Sequence, residues 1–109
     1  MQSKLVSPAR SRRTWILVLS SGEEVKEAIL KFAFDKDLKA ASFVALGAFE
    51  QAVLGYFDWQ AKKYQPIAVD EQVEVLAMVG DIAENERNEA DLHAHVVLAR
   101  VTAARAAGT

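Results

Sequence analysis

The chain contains no cysteine. That excludes disulfides and thiolate metal sites, and it fits a reducing compartment. No apolar run approaches the ~18–20 residues that a membrane-spanning helix needs. The opening stretch MQSKLVSPARSRRTW has basic residues but no hydrophobic segment ahead of a small-residue cleavage site. No secretory leader is expected there, and the cytoplasm is the expected location. Positive charge is not in excess either: 13 Lys and Arg stand against 15 Asp and Glu, a net charge of −2. Proteins that hold DNA by its phosphates usually present a basic face, so this balance argues against DNA. The stretch ALGAF has one glycine and no suitably placed lysine, so it is not a phosphate loop. Strands and helices do not alternate, which argues against a doubly wound dinucleotide fold.

What is present is apolar. At 109 residues and 51% hydrophobic, the chain is one domain with a genuine core. A domain this small is only modestly stable alone, and oligomerisation would bury more surface. Residues 1–13 are polar and contain Pro8, which reads as a flexible lead-in. TWILVLS, 14–20, is β-branched and apolar, as a buried strand is. Ser21 is placed to cap a helix, with Glu23 and Glu24 in its first turn. Val25, Ala28, Ile29, Phe32 and Ala33 then repeat at helical spacing, predicting an amphipathic helix over roughly 23–35.

Strands follow at 39–49, interrupted by Gly47 as at a bulge, and at 51–59, with a short strand near Tyr64. Tyr56 and Tyr64 are expected to face each other across that turn. Residues 71–84 begin in strict alternation at Val73 and Val75 and then become continuously apolar, as a strand entering a sandwich interior does. NERNEAD is a polar turn, and LHAHVVLA, 92–99, is the last strand. The expected fold class is α+β: a largely antiparallel β-sheet packed with one main amphipathic helix.

Candidate chemistry is sparse. Positive charge is concentrated in Arg10, Arg12 and Arg13 and, more weakly, in Lys62 and Lys63; the stretch Arg10–Arg13 is either a solvated tail or a short arm that touches phosphate. Glu50 with Asp58, and Glu74 with Asp81, flank strands, but nothing fixes their spacing for acid–base work. Ser20 and Ser21 suit capping better than nucleophilic catalysis. Trp15, Trp59, Tyr56 and Phe57 suit core and interface better than base stacking. The two histidines, His93 and His95, are the distinctive pair. Residues i and i+2 of a strand share a face, which sets these side chains roughly 6–7 Å apart. Two neutral imidazoles at that spacing either grip one Zn²⁺ or sit as half-buried polar groups bonded to backbone or carboxylates. Leu92, Ala94 and Val96 then face the core, and Asp91 is placed to orient a ligating histidine.

Taken in order, GEEVKEAILKFA, FVALGAFEQAVLGYFD, VEVLAMVGDIA and LHAHVVL resemble the plants and prokaryotes conserved (PPC) family over nearly all of 14–98. The most specific stretches are Gly47-Ala48-Phe49, Leu54-Gly55-Tyr56-Phe57 and Leu92-His93-x-His95. The resemblance implies an α/β domain that assembles as a homotrimer, and a non-enzymatic regulatory or DNA-binding module. It also implies a divalent metal, Zn²⁺ in type, held by His93, His95 and a third histidine in a Gly-Gly-His segment just after this strand. That third histidine is absent here, as is the Arg-Gly-Arg-Pro core of an AT-hook. Two other readings stand beside this one. One is a metal-dependent small-molecule binder or hydrolase-like enzyme using His93 and His95; the other is a bare trimerisation scaffold.

The stretch VVLARVTAARAAGT is rich in Ala and Arg, as frame-shifted GC-rich coding often is. Back-translating Leu98 to Thr109 with permitted codons and restoring one G in the second codon gives Leu-Gly-Pro-Arg-Asp-Gly-Ser-Ala-Arg-Gly-Gly-His-Leu. That run contains the family's turn and its Gly-Gly-His. Residues 99–109 are therefore expected to be an aberrant tail, a reading that the gene's nucleotide sequence decides.

Overall fold

The computed structural model describes residues 1–8 and 12–100. Its elements are β1 (Gln2–Pro8), β2 (Arg13–Val18), α1 (Val25–Asp35), β3 (Ala40–Phe49), β4 (Ala52–Asp58), β5 (Lys63–Val69), β6 (Val73–Glu84) and β7 (Ala90–Arg100). The sheets are β1-β2, β3-β6-β7 and β4-β5. Antiparallel pairing and one helix are as the sequence patterning predicts. The chain divides into two units, 1–41 with 81–93, and 42–80 with 94–109.

In the first unit, β1 occupies residues 2–8 of the expected flexible lead-in. It pairs antiparallel with β2, setting Lys4 opposite Ile16 and Leu5 opposite Trp15, with a register shift between Leu5 and Ser7. Arg10 lies outside the described residues. The N-terminal ammonium is hydrogen-bonded to Glu23 and holds that carboxyl below its ordinary range. Helix α1 starts later than the sequence suggests. Its cap is Glu24, not Ser21: the Glu24 carboxylate accepts from the Glu27 backbone N–H. Residues 20–23 instead close a turn, Glu23 N–H to Ser20 C=O at 3.2 Å, with Gly22 at φ 89°.

The helix buries Ile29, Phe32 and Ala33, the three-and-four stripe. Burying side chains such as Ile29 and Phe32 contributes about 1.5–3 kcal/mol each. Phe32 meets the Trp15 ring of β2 edge to face at 5.2 Å, and Lys36 Nζ lies 5.0 Å from the centre of that indole.

The helix ends in a double-bonded C-terminal turn. Asp37 N–H donates to Phe34 C=O at 3.2 Å and Leu38 N–H to Ala33 C=O at 2.8 Å, with Asp37 at φ 54°. This left-handed position favours glycine, and an aspartate there also faces the negative end of the helix dipole. Asp37→Gly is therefore expected to raise stability by about 0.5–1 kcal/mol, read as a higher midpoint in urea at unchanged slope. An unchanged or lower midpoint would contradict this account of the helix end.

In the second unit, β4 and β5 form a hairpin in the register Val53↔Ala68, Gly55↔Pro66, Phe57↔Tyr64 and Asp58↔Lys63. The expected Tyr56–Tyr64 pair is off by one: Tyr56 stands opposite Gln65, and Phe57 meets Tyr64 edge to face at 5.4 Å. Four residues separate the strands, and that loop length sets the register. Strand β3 runs unbroken through Gly47, whose φ of 152° is a conformation that other residues rarely adopt. Strand β6 does not become continuously buried. Val73, Val75 and Met78 are buried while Leu76 and Ala77 both face outward, so the alternation slips by one residue there. Strand β7 includes Ala99 and Arg100, and Arg100 pairs with Glu71. The remainder of the expected aberrant tail, 101–109, lies outside the described residues.

Candidate functional site

The turn between β6 and β7 is built by Asn85. Its side-chain oxygen accepts from the Arg87 and Glu89 backbone N–H groups at 2.9 and 3.1 Å. Its own N–H donates to Glu89 C=O at 2.8 Å, its C=O accepts from Asn88 N–H at 3.0 Å, and Asn88 takes φ 60°. An asparagine that bonds its own following backbone in this way fixes where the next strand starts. Strand β7 then alternates cleanly: Leu92, Ala94, Val96 and Leu98 are half-buried, and Asp91, His93, His95 and Val97 are exposed. Period two in the sequence is thus period two in the structure, with both histidines on the outer side.

In the first unit a shallow cleft of about 160 Å³ opens beside this turn. Asp81, Glu84, Asn85, Asp91 and His93 supply its polar lining, with Leu92 among its apolar wall residues. Asp91 is committed locally: its carboxylate accepts from the Leu92 backbone N–H at 2.9 Å. Glu84 lies 3.9 Å from Lys39 Nζ. Among the described residues no three His, Cys, Asp or Glu side chains are grouped so as to hold a metal ion. His93 falls in the first unit and His95 in the second.

The other candidates are dispersed. Arg12 is exposed ahead of β2, and Arg13 is the exposed first residue of that strand, opposite Pro8. Asp58 serves the hairpin turn, accepting from the Gln60 and Ala61 N–H groups at 3.0 and 3.2 Å. Glu50, Glu74 and Asp81 are exposed. Trp15 is half-buried against the helix, as expected, but Trp59 is 81% exposed. Among the described residues no helix is long and apolar enough to cross a membrane.

Residues 6–109 match the Plants and Prokaryotes Conserved (PCC) domain. No protein with a curated description matches significantly. Among solved structures, a Ralstonia eutropha JMP134 protein provisionally named as DNA-binding is 31% identical. It superposes with a TM-score of 0.74 over 81% of this chain and 60% of its own. A metal-containing protein of Archaeoglobus fulgidus is 30% identical, with a TM-score of 0.71 over 75% of this chain and 58% of its own. A plant- and prokaryote-conserved protein of Pyrococcus horikoshii is 25% identical, with a TM-score of 0.73 over 77% and 58%. The chain thus spans less than two thirds of the length of these structures.

Proposed function

The chain belongs to the Plants and Prokaryotes Conserved (PCC) domain family, and from that premise we propose that it is a non-enzymatic, cytoplasmic module that associates with its own copies and contacts nucleic acid. The observation that carries this is the likeness to the Ralstonia protein provisionally named as DNA-binding. Exposed Arg12 and Arg13 are the phosphate contacts on this reading, with Arg10, outside the described residues, beside them in sequence. Self-association, as the homotrimer that the family resemblance implies, is supported by apolar side chains left in solvent. Val44 and Leu46 of β3 are 81% and 84% exposed, and Leu76 and Val79 of β6 are more than half exposed.

Titration against duplex DNA at low and at physiological salt tests the nucleic-acid part. Binding that weakens as salt rises is expected, because phosphate contacts release counterions. No binding at low salt removes it.

A second reading has its own observation: His93 and His95 share the outer side of β7, and one similar structure is a metal-containing protein. Two imidazoles are half of a tetrahedral Zn²⁺ set. The described residues do not complete the set. On this reading His93 and His95 contribute two donors, Asp91 helps to orient one of them, and the remaining donors come from elsewhere. Metal content of the purified protein is the check. Stoichiometric metal, lost when His93→Ala and His95→Ala are combined, supports the site. Metal-free protein, or metal retained by the double variant, rules it out. An oligomer that binds neither DNA nor metal would leave only a scaffold.

A further inference from the structure

The β4–β5 hairpin has two unlike sides. On one, Leu54 stands opposite Ile67 and Asp58 opposite Lys63; on the other, Val53 stands opposite Ala68, Gly55 opposite Pro66 and Phe57 opposite Tyr64. The second side carries no charge, and its members are exposed. At its tip three rings pack together. Phe57 is the centre, with Trp59 at 4.8 Å and 83° and Tyr64 at 5.4 Å and 69°. Trp59 and Tyr64 are nevertheless 81% and 63% exposed. Edge-to-face contact with Phe57 holds the two outer rings in place and leaves most of their surface to solvent.

The charges around this tip are unlike those of the whole chain. Over 52–69 there are Lys62, Lys63 and Asp58, two positive and one negative, for a local +1. The chain as a whole has 13 positive and 15 negative groups, for −2. Asp58 is turned into the hairpin, accepting from the Gln60 and Ala61 N–H groups at 3.0 and 3.2 Å. Lys62 and Lys63 are exposed. Exposed rings beside lysines are the two components of single-strand binding, a stacking platform and a cationic track for phosphates. A duplex keeps its bases stacked inside, so exposed rings are better suited to a single strand, whose bases are free to stack on them.

We propose that the tip of this hairpin binds single-stranded nucleic acid, with bases stacking on Trp59 and Tyr64 and phosphates meeting Lys62 and Lys63. This deepens the nucleic-acid reading above by naming the form of the ligand and the surface that takes it.

The test uses the full chain and fluorescein-labelled oligo(dT), followed by anisotropy across a salt series, with the matching duplex in parallel. Trp59→Ala is expected to weaken oligo(dT) binding on the order of tenfold, with the salt slope unchanged, because it removes stacking and no charge. Lys62→Gln with Lys63→Gln is expected to flatten the log–log salt slope by about 1.4, at ~0.7 per single-strand phosphate contact. Both residues are exposed, so circular dichroism and melting should match the parent. Oligo(dT) binding that survives Trp59→Ala at full strength overturns the hairpin while sparing the broader reading. Duplex binding without oligo(dT) binding does the same. Loss of self-association in Trp59→Ala, with oligo(dT) binding intact, would make this side an interface between copies and overturn the proposal.

Discussion

Phe32→Ala is expected to destabilise the chain by about 3–5 kcal/mol, the usual cost of deleting a buried ring. Phe32 is 6% exposed, sits between Ile29 and Ala33 on the buried stripe of α1, and supports the Trp15 ring of β2 at 5.2 Å. Removing it leaves a cavity and frees the indole that joins the helix to β2. Domains of this size are typically stable by only about 5–15 kcal/mol, so the loss is a large share of the total. A thermal midpoint lower by roughly 15–25 °C is the expected readout. Phe34, two positions on, is the internal control. It is 82% exposed, so Phe34→Ala should stay within about 0.5 kcal/mol. Equal losses at the two positions would mean that the helix is rotated from the orientation described.

Val73→Asp is expected to cost on the order of 4 kcal/mol or more at neutral pH, because it buries an unpaired carboxylate. Val73 is 1% exposed. The cost should also depend on pH in a stated direction. Burial raises the folded-state pKa of the new carboxyl above its unfolded value of about 3.9. Below that value both states are protonated and the charge penalty vanishes. As pH rises above it, the unfolded chain ionises first and the deficit grows until the folded pKa is passed. Urea unfolding of variant and parent on either side of this range would show the gap widening with pH. A gap of constant size would mean that the position is not sealed from water. Ala77→Asp, at an outward position in the same strand, should lack this pH signature.

These residues also show what the sequence made legible. Helix α1 was readable because Ile29, Phe32 and Ala33 repeat at helical spacing, and β7 because Leu92 to Leu98 alternates. Both patterns are local, and each follows from the geometry of one element. Features that depend on another segment were not readable. QSKLVSP has no strong strand pattern of its own; β1 exists through its pairing with β2. Ser21 has a good capping side chain, but the turn closed at Ser20 and Glu23 moves the helix start to Glu24. Tyr56 and Tyr64 are plausible partners by type, and only the hairpin register sets Phe57 opposite Tyr64. For the histidines, sequence gave the shared face of His93 and His95. Two donors on one strand cannot say what else approaches them, and that is a question about other segments or other copies. The aromatic tip is illegible for the same reason: ring type is visible in a sequence, whereas exposure is not.

The slip in β6 has a consequence for aligning related sequences. Val73 and Val75 are inward, Leu76 and Ala77 are both outward, and Met78 is inward again. The strand is therefore a strictly alternating one carrying a single inserted residue. A relative shorter by one residue at 76 or 77 would keep Val73, Val75 and Met78 in phase, and a gap at 74 would not. An alignment that forces continuous alternation through this stretch would match inward positions to outward ones from Met78 onward. A one-residue gap in the middle of a strand is normally a sign of misalignment. Here it is the placement that the geometry favours.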